Sequence, residues 1–301
     1  MLRPYNLLEN VLLDIENDIR NCINASDLVK KYELSERHLR RLFQFAFNQS
    51  LCSYIRSRKL AASLEDLLKT DTNVLNVAMD YGFDYEQSYI RAFKREFGIT
   101  PGELRKNEKG QVIKVKPPLH MFDESRLSDG VLFGPDIVMV PQFRIIGKRS
   151  RVPFDVSASL APELANLFWS NEHSLVKSII NPDVYIGFTD NINREAGYSD
   201  YMPSVMVDDV EEIPNGLCGN TFEASLCARF RYIGQHHYSE LSGCTAEAMY
   251  KAICKFADDE QSKYTLLNKT VFFEKVDTGL YDGTYCQMEW FCPIVEKSLK
   301  S

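Results

Sequence analysis

The chain has 301 residues, 45% of them hydrophobic and 26% charged, with a formal net charge of −7. That length accommodates two domains of roughly 100–200 residues, and the composition is that of an ordinary soluble globular protein. No stretch approaches the ~18 consecutive apolar residues of a membrane span, so no membrane partner is expected. No apolar run follows the N-terminal residues, so no export signal is expected. The eight cysteines (22, 52, 218, 227, 244, 254, 286 and 292) form no Cys-x-x-Cys pair, which argues against a zinc knuckle or dithiol redox centre. Free thiols without an export signal point to the cytoplasm. The charge is unevenly placed. Residues 30–109 carry 15 Lys/Arg against 11 Asp/Glu, whereas 110–301 carry 18 against 26. The basic excess marks the first part as the one that meets phosphate.

The first third reads as helix. Leu8, Val11, Leu12, Ile15 and Ile19 keep helical spacing. Ser26 is placed to cap a short helix through Lys31, and Ser35 to cap the next. In that next helix Leu39, Leu42, Phe43 and Ala46 form an apolar face, and Arg37, Arg40, Arg41 and Gln44 a polar one. A long helix is predicted from about Leu51 to Lys69, then a helix pair at about 73–81 and 85–97. Gly82 suits the turn of that pair because it tolerates the left-handed conformation. The second helix of the pair places Tyr89, Phe93 and Phe97 on one face, and Gln87, Ser88, Arg91 and Arg95 on the other. Two helix-turn-helix patterns therefore recur about 50 residues apart. A connecting helix of ~19 residues spans ~28 Å, near the ~34 Å between successive major-groove faces of one DNA turn. One chain can so address two adjacent grooves of double-stranded DNA. Arginine suits this role because its planar fork binds guanine O6 and N7 together. Arg56, Arg58 and Lys59 on the connecting helix read equally as phosphate contacts, structural residues or plain surface.

Residues 107–134 read as a linker, with Pro117-Pro118 and Gly130 breaking the pattern. Beyond it the signals run β, helix, β, β, twice. Ile137–Arg149 is β-rich, 160–180 helical, and Val184–Phe188 and Ser204–Val210 are short strands. Phe222–Ile233 alternates, Cys244–Phe256 is helical, and Val271–Glu274 and Tyr285–Pro293 are strands. The expected fold is an all-α tandem helix-turn-helix domain (1–106) followed by an α+β domain (135–301) of two pseudo-symmetric βαββ units. A cleft where two such units meet is a common seat for a small ligand.

The first domain resembles the DNA-binding domain of the AraC/XylS transcription regulators over about residues 25–106. The matching residues are Leu39-Arg40-Arg41-Leu42-Phe43, Tyr54 to Leu60, Tyr81-Gly82-Phe83, Arg91-Ala92-Phe93-Lys94, Phe97-Gly98 and Thr100-Pro101. Position 89, Phe in the family, is Tyr here. The resemblance implies that Arg37, Arg40 and Arg41 meet base edges in the first unit, and Gln87, Ser88 and Arg91 in the second. The second domain looks like the GyrI-like effector-binding domain of Rob-type and multidrug-sensing regulators. That match rests on the repeated βαββ order, Tyr232-Ile233-Gly234 and Met288 to Ile294. It implies a pocket glutamate for cationic or amphipathic ligands, matched here by Glu289, and a pocket tyrosine matched by Tyr201.

Alternation in Tyr285–Phe291 puts Tyr285, Gln287, Glu289 and Phe291 on one face and Cys286, Met288, Trp290 and Cys292 on the other. The all-apolar face is expected to pack on helices, so Trp290 reads as core. Glu289 between aromatics is expected to want a cation, against the plainer reading of a salt-bridged surface carboxylate. Phe168 and Trp169 line the cleft or fill the core. His236-His237, read as strand neighbours, point to opposite faces and do not share a metal. No Gly-rich phosphate loop, nucleophile motif or cofactor motif stands out. The sequence reading is thus a DNA-binding transcription regulator that answers to a small effector and acts with RNA polymerase. Its alternatives are a C-terminal small-molecule hydrolase, with Glu289 as acid or base, and a ligand-free protein-interaction module.

Overall fold

The computed structural model describes residues 3–20, 23–106, 113–119, 121, 127, 129–154, 157–193, 195–241, 243–259, 262–267, 271–281 and 283–297. The chain divides into two compact units, Met1–Phe122 and Asp123–Ser301.

The first unit is helical: α1 (Pro4–Asn17), α2 (Ala25–Tyr32), α3 (Glu36–Phe47), α4 (Leu51–Lys69), α5 (Val74–Asp80), α6 (Glu86–Phe97) and α7 (Pro101–Lys106). Caps set the boundaries. Ser35, Ser50 and Asn73 accept backbone N–H groups at the starts of α3, α4 and α5. The cap of α2 is Asn24, in a capping box with Asp27, and not the expected Ser26, which lies inside the first turn. Gly82 and Gly98 both take positive φ, 72° and 76°, to end α5 and α6. Arg105 donates to the carbonyls of Leu67 and Thr72 and Thr70 Oγ1 to Asp66 O, which together satisfy the end of α4.

Two apolar faces make the unit. Leu39, Leu42, Phe43 and Ala46 of α3 are buried, as are Tyr89, Ala92 and Phe93 of α6. The departure at Tyr89 has a local explanation. Its hydroxyl lies 2.8 Å from Ser63 Oγ, and Ser63 in turn donates to Leu60 O, so the extra oxygen is satisfied inside the core. Part of the predicted linker belongs here. Arg58 donates to Lys116 O at 2.9 Å, and Leu119 N–H to Tyr54 Oη at 3.1 Å.

The second unit is an antiparallel sheet with two long helices. Its strands are β1 (Gly130–Val140), β2 (Phe143–Gly147), β3 (Ser150–Pro153), β4 (Val184–Asn193), β5 (Tyr198–Val207), β6 (Cys218–Phe222), β7 (Ser225–Gly234), β8 (Tyr264–Leu266), β9 (Phe272–Asp277) and β10 (Cys286–Glu296). Helix α8 (Ser157–Asn171) precedes β4, and α9 (Gly243–Asp258) precedes β9. The order across the sheet is β1-β7-β10-β9-β4-β5-β2-β6, with β3 beside β5 and β8 beside β10. The two βαββ units are β2-α8-β4-β5 and β7-α9-β9-β10, joined through β4 and β9. The predicted short strands 184–188 and 204–210 are one ten-by-ten-residue hairpin, extended to Asn193 and back to Tyr198 by their pairing with each other and by β3 alongside β5.

The strand before each unit crosses to the other. β1 pairs with β7, and β6 with β2. Only Pro141 and Gln142 separate β1 from β2, and Glu223 and Ala224 separate β6 from β7, yet β1 and β6 stand at opposite ends of the strand order. The sheet must therefore roll until its ends adjoin. Phe143, Phe222, Phe273 and Phe291 pack inside the roll, stacked or edge to face, with centroids 4.7–5.1 Å apart. The other face carries α8 and α9. Against it pack Phe230, Tyr232, Met288, Trp290 and Cys292 with Met249 and Ile253 of α9.

Candidate functional site

In the first unit the polar faces of α3 and α6 are free of the core. Arg37, Arg40 and Gln44 are exposed, and Arg41 is half-buried. Gln87, Ser88, Arg91 and Arg95 are exposed on α6. Arg40 Nε donates to Glu36 Oε1 at 2.8 Å, one helical turn away, and both side chains are nearly half exposed. Such an i,i+4 pair is worth about 0.3–0.5 kcal/mol, so it yields easily to a base or phosphate. Tyr85 carries no motif in the sequence, yet it stands 71% exposed at the start of α6, beside Gln87 and Ser88. Arg58 is committed elsewhere, by a two-pronged bond to the Glu16 carboxylate on α1. Lys59 is buried and Arg56 is exposed.

In the second unit a cavity of about 300 Å³ lies between the helices and the sheet. Aromatic side chains dominate its wall: Trp169 of α8, Tyr185 of β4, Tyr201 of β5, Tyr238, and Trp290 of β10. Among the described residues one carboxylate faces it, that of Glu274 on β9. Glu274 Oε1 accepts from Tyr201 Oη at 2.7 Å, and Oε2 from Trp290 Nε1 at 3.0 Å. Tyr185 and Tyr201 hydroxyls share a further hydrogen bond. No Lys or Arg pairs with Glu274 among the described residues. Burial pushes its carboxyl above the usual range, although both donors pull the other way. Burial and the neighbouring Glu274 raise both tyrosines well above their ordinary value, so Tyr201 stays a proton donor.

This corrects the sequence reading of the site. Tyr201 and Trp169 line the cavity, but Glu289 does not. It lies on the other face of the sheet, ion-paired with Arg229 at 3.2 Å and Lys275 at 3.8 Å. Tyr285 is buried outside the cavity wall, and Phe168 packs with Ile146, Val205 and Val207. The alternation along β10 holds, with its two faces exchanged in use. The all-apolar face is also the cavity floor, so Trp290 is both core and wall. The carboxylate comes from the neighbouring strand, where Glu274 pairs with Trp290. Its signal in the sequence is weak, because Glu274-Lys275 reads as an ordinary charged pair.

The histidine pair lies in the turn after β7 and not on a strand. His236 contacts Tyr232 Oη at 2.9 Å, and His237 caps the 3-10 turn Tyr238–Glu240. No cluster among the described residues has the donors to hold a metal.

Residues 28–107 match the helix-turn-helix domain model, and residues 134–267 match the GyrI-like small molecule binding domain. The regulatory protein SoxS of Escherichia coli (strain K12) is 30% identical over 99 residues, which cover 33% of this chain and 92% of SoxS. The chain belongs to the AraC/XylS family. A second AraC/XylS relative, the transcriptional regulator Rob of Salmonella typhimurium, is 29% identical over 115 residues. The matched part covers 38% of this chain and 40% of Rob, so the chain spans about two-fifths of that relative's length. Among solved structures, SAV2435 bound to tetraphenylphosphonium matches 54% of this chain and 94% of its own, at 14% identity and a TM-score of 0.41. No helix among the described residues is long and apolar enough to cross a membrane.

Proposed function

We propose that this AraC/XylS member is a ligand-responsive transcription regulator whose effector is an aromatic or amphipathic cation. The observation that carries the reading is Glu274. It is a half-buried carboxylate facing the cavity, held by two neutral donors and walled by aromatic rings. A buried charge without a counter-charge is costly. A ligand cation supplies that counter-charge, and the faces of Trp169, Trp290 and the tyrosines add cation–π attraction. The cavity is of a size for a small organic molecule.

In the DNA-binding part, Arg37, Arg40, Arg41 and Gln44 on α3 and Gln87, Ser88 and Arg91 on α6 are the proposed readers of double-stranded DNA. The first set enters one major groove and the second the next. Basic side chains around them grip phosphate, which makes affinity fall with salt. The effector alters regulation only through different affinities for two states of the protein or of its complex with DNA and RNA polymerase. The protein works in the cytoplasm, where its DNA is. It is not an enzyme on this reading. His237 Nδ1 accepts from Ser239 N–H as the cap of a 3-10 turn, so that pair serves the turn and not a substrate.

The test uses the chain's own reporters. Its only two tryptophans, Trp169 and Trp290, both line the cavity. Tetraphenylphosphonium, chosen as an aromatic cation, should quench their fluorescence saturably, be recovered unchanged, and shift binding to a selected DNA site. Saturable binding of neutral aromatics alone, or turnover of the ligand, would overturn the reading.

A further inference from the structure

The cavity floor lies where the two βαββ units meet, along the β4–β9 pair. The hairpins β4–β5 and β9–β10 align pair for pair. Phe188–Met202 corresponds to Lys275–Glu289, Gly187–Pro203 to Glu274–Trp290, and Ile186–Ser204 to Phe273–Phe291. In this alignment Gly187 is the counterpart of Glu274. The two are also direct cross-strand partners. One position of the repeat therefore meets its own copy at the local twofold axis, and both copies point to the cavity side of the sheet.

Cross-strand partners have Cβ atoms roughly 4.5–5.5 Å apart. Two long side chains on one cavity floor at that spacing compete for the same space. Here the competition is resolved by asymmetry. A Cβ at position 187 would lie 2.7 Å from both Cγ and Cδ of Glu274, and closer still to Oε1. The three nearest atoms it would meet all belong to that one side chain. At Gly147, by contrast, an added Cβ would strike the backbone oxygen of Pro203. Gly187 is not among the glycines with positive φ, so no turn explains it. A glycine inside a central strand weakens it, and room for the carboxylate is the local return.

We propose that Gly187 is the specificity-determining partner of Glu274. Its missing side chain lets the carboxylate lie between Tyr201 and Trp290, and so places one negative charge on the twofold axis of the pocket. This rests on reading the cavity as a cation site. It predicts that Gly187→Ala displaces the Glu274 carboxylate while leaving the sheet in place.

The experiment compares wild type, Gly187→Ala, Glu274→Gln and the double variant Gly187→Ala with Glu274→Asp in the full chain. The first readout needs no ligand. Trp290 donates to Glu274, so tryptophan fluorescence against pH reports the carboxyl's ionisation, with a midpoint absent in Glu274→Gln. In Gly187→Ala that midpoint should move by about one pH unit or more. The second readout is affinity. Gly187→Ala should weaken tetraphenylphosphonium about tenfold or more, and the neutral triphenylphosphine oxide less than about threefold. Adding the shorter Glu274→Asp to Gly187→Ala should recover at least about threefold of the cation affinity.

An unchanged midpoint together with unchanged cation affinity in Gly187→Ala overturns the proposal. If wild type does not bind the cation, the cation-site reading fails, while the midpoint still decides whether Gly187 positions Glu274. If Gly187→Ala does not fold, Gly187→Ala with Glu274→Ala must fold, because the clash is with the Glu274 side chain. Failure of both also overturns it.

Discussion

Replacing Glu274 with Gln keeps the shape of the side chain and removes its charge. The amide can still accept from Tyr201 or from Trp290, but not from both, because its other end is a donor. Its NH2 can instead donate to Tyr201 Oη while Tyr201 donates to Tyr185, so the loss of stability should be at most that of one hydrogen bond, about 0.5–1.5 kcal/mol. The effect on a cationic ligand is larger. A unit charge about 4 Å from the carboxylate is held by about 4 kcal/mol at an effective dielectric of 20. Part of that is spent on ionising a carboxyl whose pKa burial has raised. The net loss for a permanent cation should be about 2–4 kcal/mol, or roughly 30- to 1,000-fold in Kd. A neutral ligand of similar shape should lose less than about threefold. Quenching of Trp169 and Trp290 measures both affinities in one titration. Equal losses for the charged and the neutral ligand would show that Glu274 shapes the pocket without supplying attraction, and the electrostatic reasoning would fall.

Binding of a permanent cation should weaken about tenfold per pH unit below the raised pKa of Glu274, because the bound form needs the ionised carboxylate. Isothermal titration in buffers of different ionisation heat would show the released proton. In the ligand-free protein the same shift makes the contribution of Glu274 to stability greatest in acid. It declines as pH rises from the ordinary carboxylate value through the raised one, and Glu274→Gln should flatten that decline in denaturant melts. Glu289→Gln should leave cation affinity within about twofold, because its carboxylate faces Arg229 and Lys275 on the far side of the sheet. A loss matching that of Glu274→Gln would move the site. Arg40→Ala and Arg91→Ala should each cost about 1–3 kcal/mol on a specific site, read by competition against altered sequences. A uniform small loss on all sequences would make them phosphate contacts. Tyr89→Phe should cost about 1 kcal/mol and Ser63→Ala at least as much, with the double variant close to Tyr89→Phe. Additive losses would show that the two hydroxyls do not depend on each other.

The helical half was legible because its determinants are local. Apolar residues at i, i+3 and i+4, capping side chains and glycines in left-handed turns lie within one or two helical turns of each other. They define Leu39, Phe43, Tyr89 and Phe93 as core, and Arg40 and Arg91 as surface, before any tertiary contact is known. The slips there are small: Ser26 for Asn24 as a cap is a displacement of two residues within the same turn, and Ile19 lies just past the end of the first helix at Asn17. The βαββ order of the second half was legible for the same reason, since alternation along a strand and periodicity along a helix are properties of short segments.

Local pattern along the chain, then, decides which elements form, in what order, and which residues share a face. It did not determine which face of β10 looks onto the cavity, because alternation divides side chains into two sets without saying what covers each. That was decided by α8 and α9 packing on the Trp290 side, and by a sheet that rolls its other face inward around Phe143, Phe222, Phe273 and Phe291. The register of β9 against β4 and β10 then set Glu274 opposite Gly187 and beside Trp290. Those partners are 87 and 16 residues away from Glu274 in the chain, so only long-range pairing brings them together.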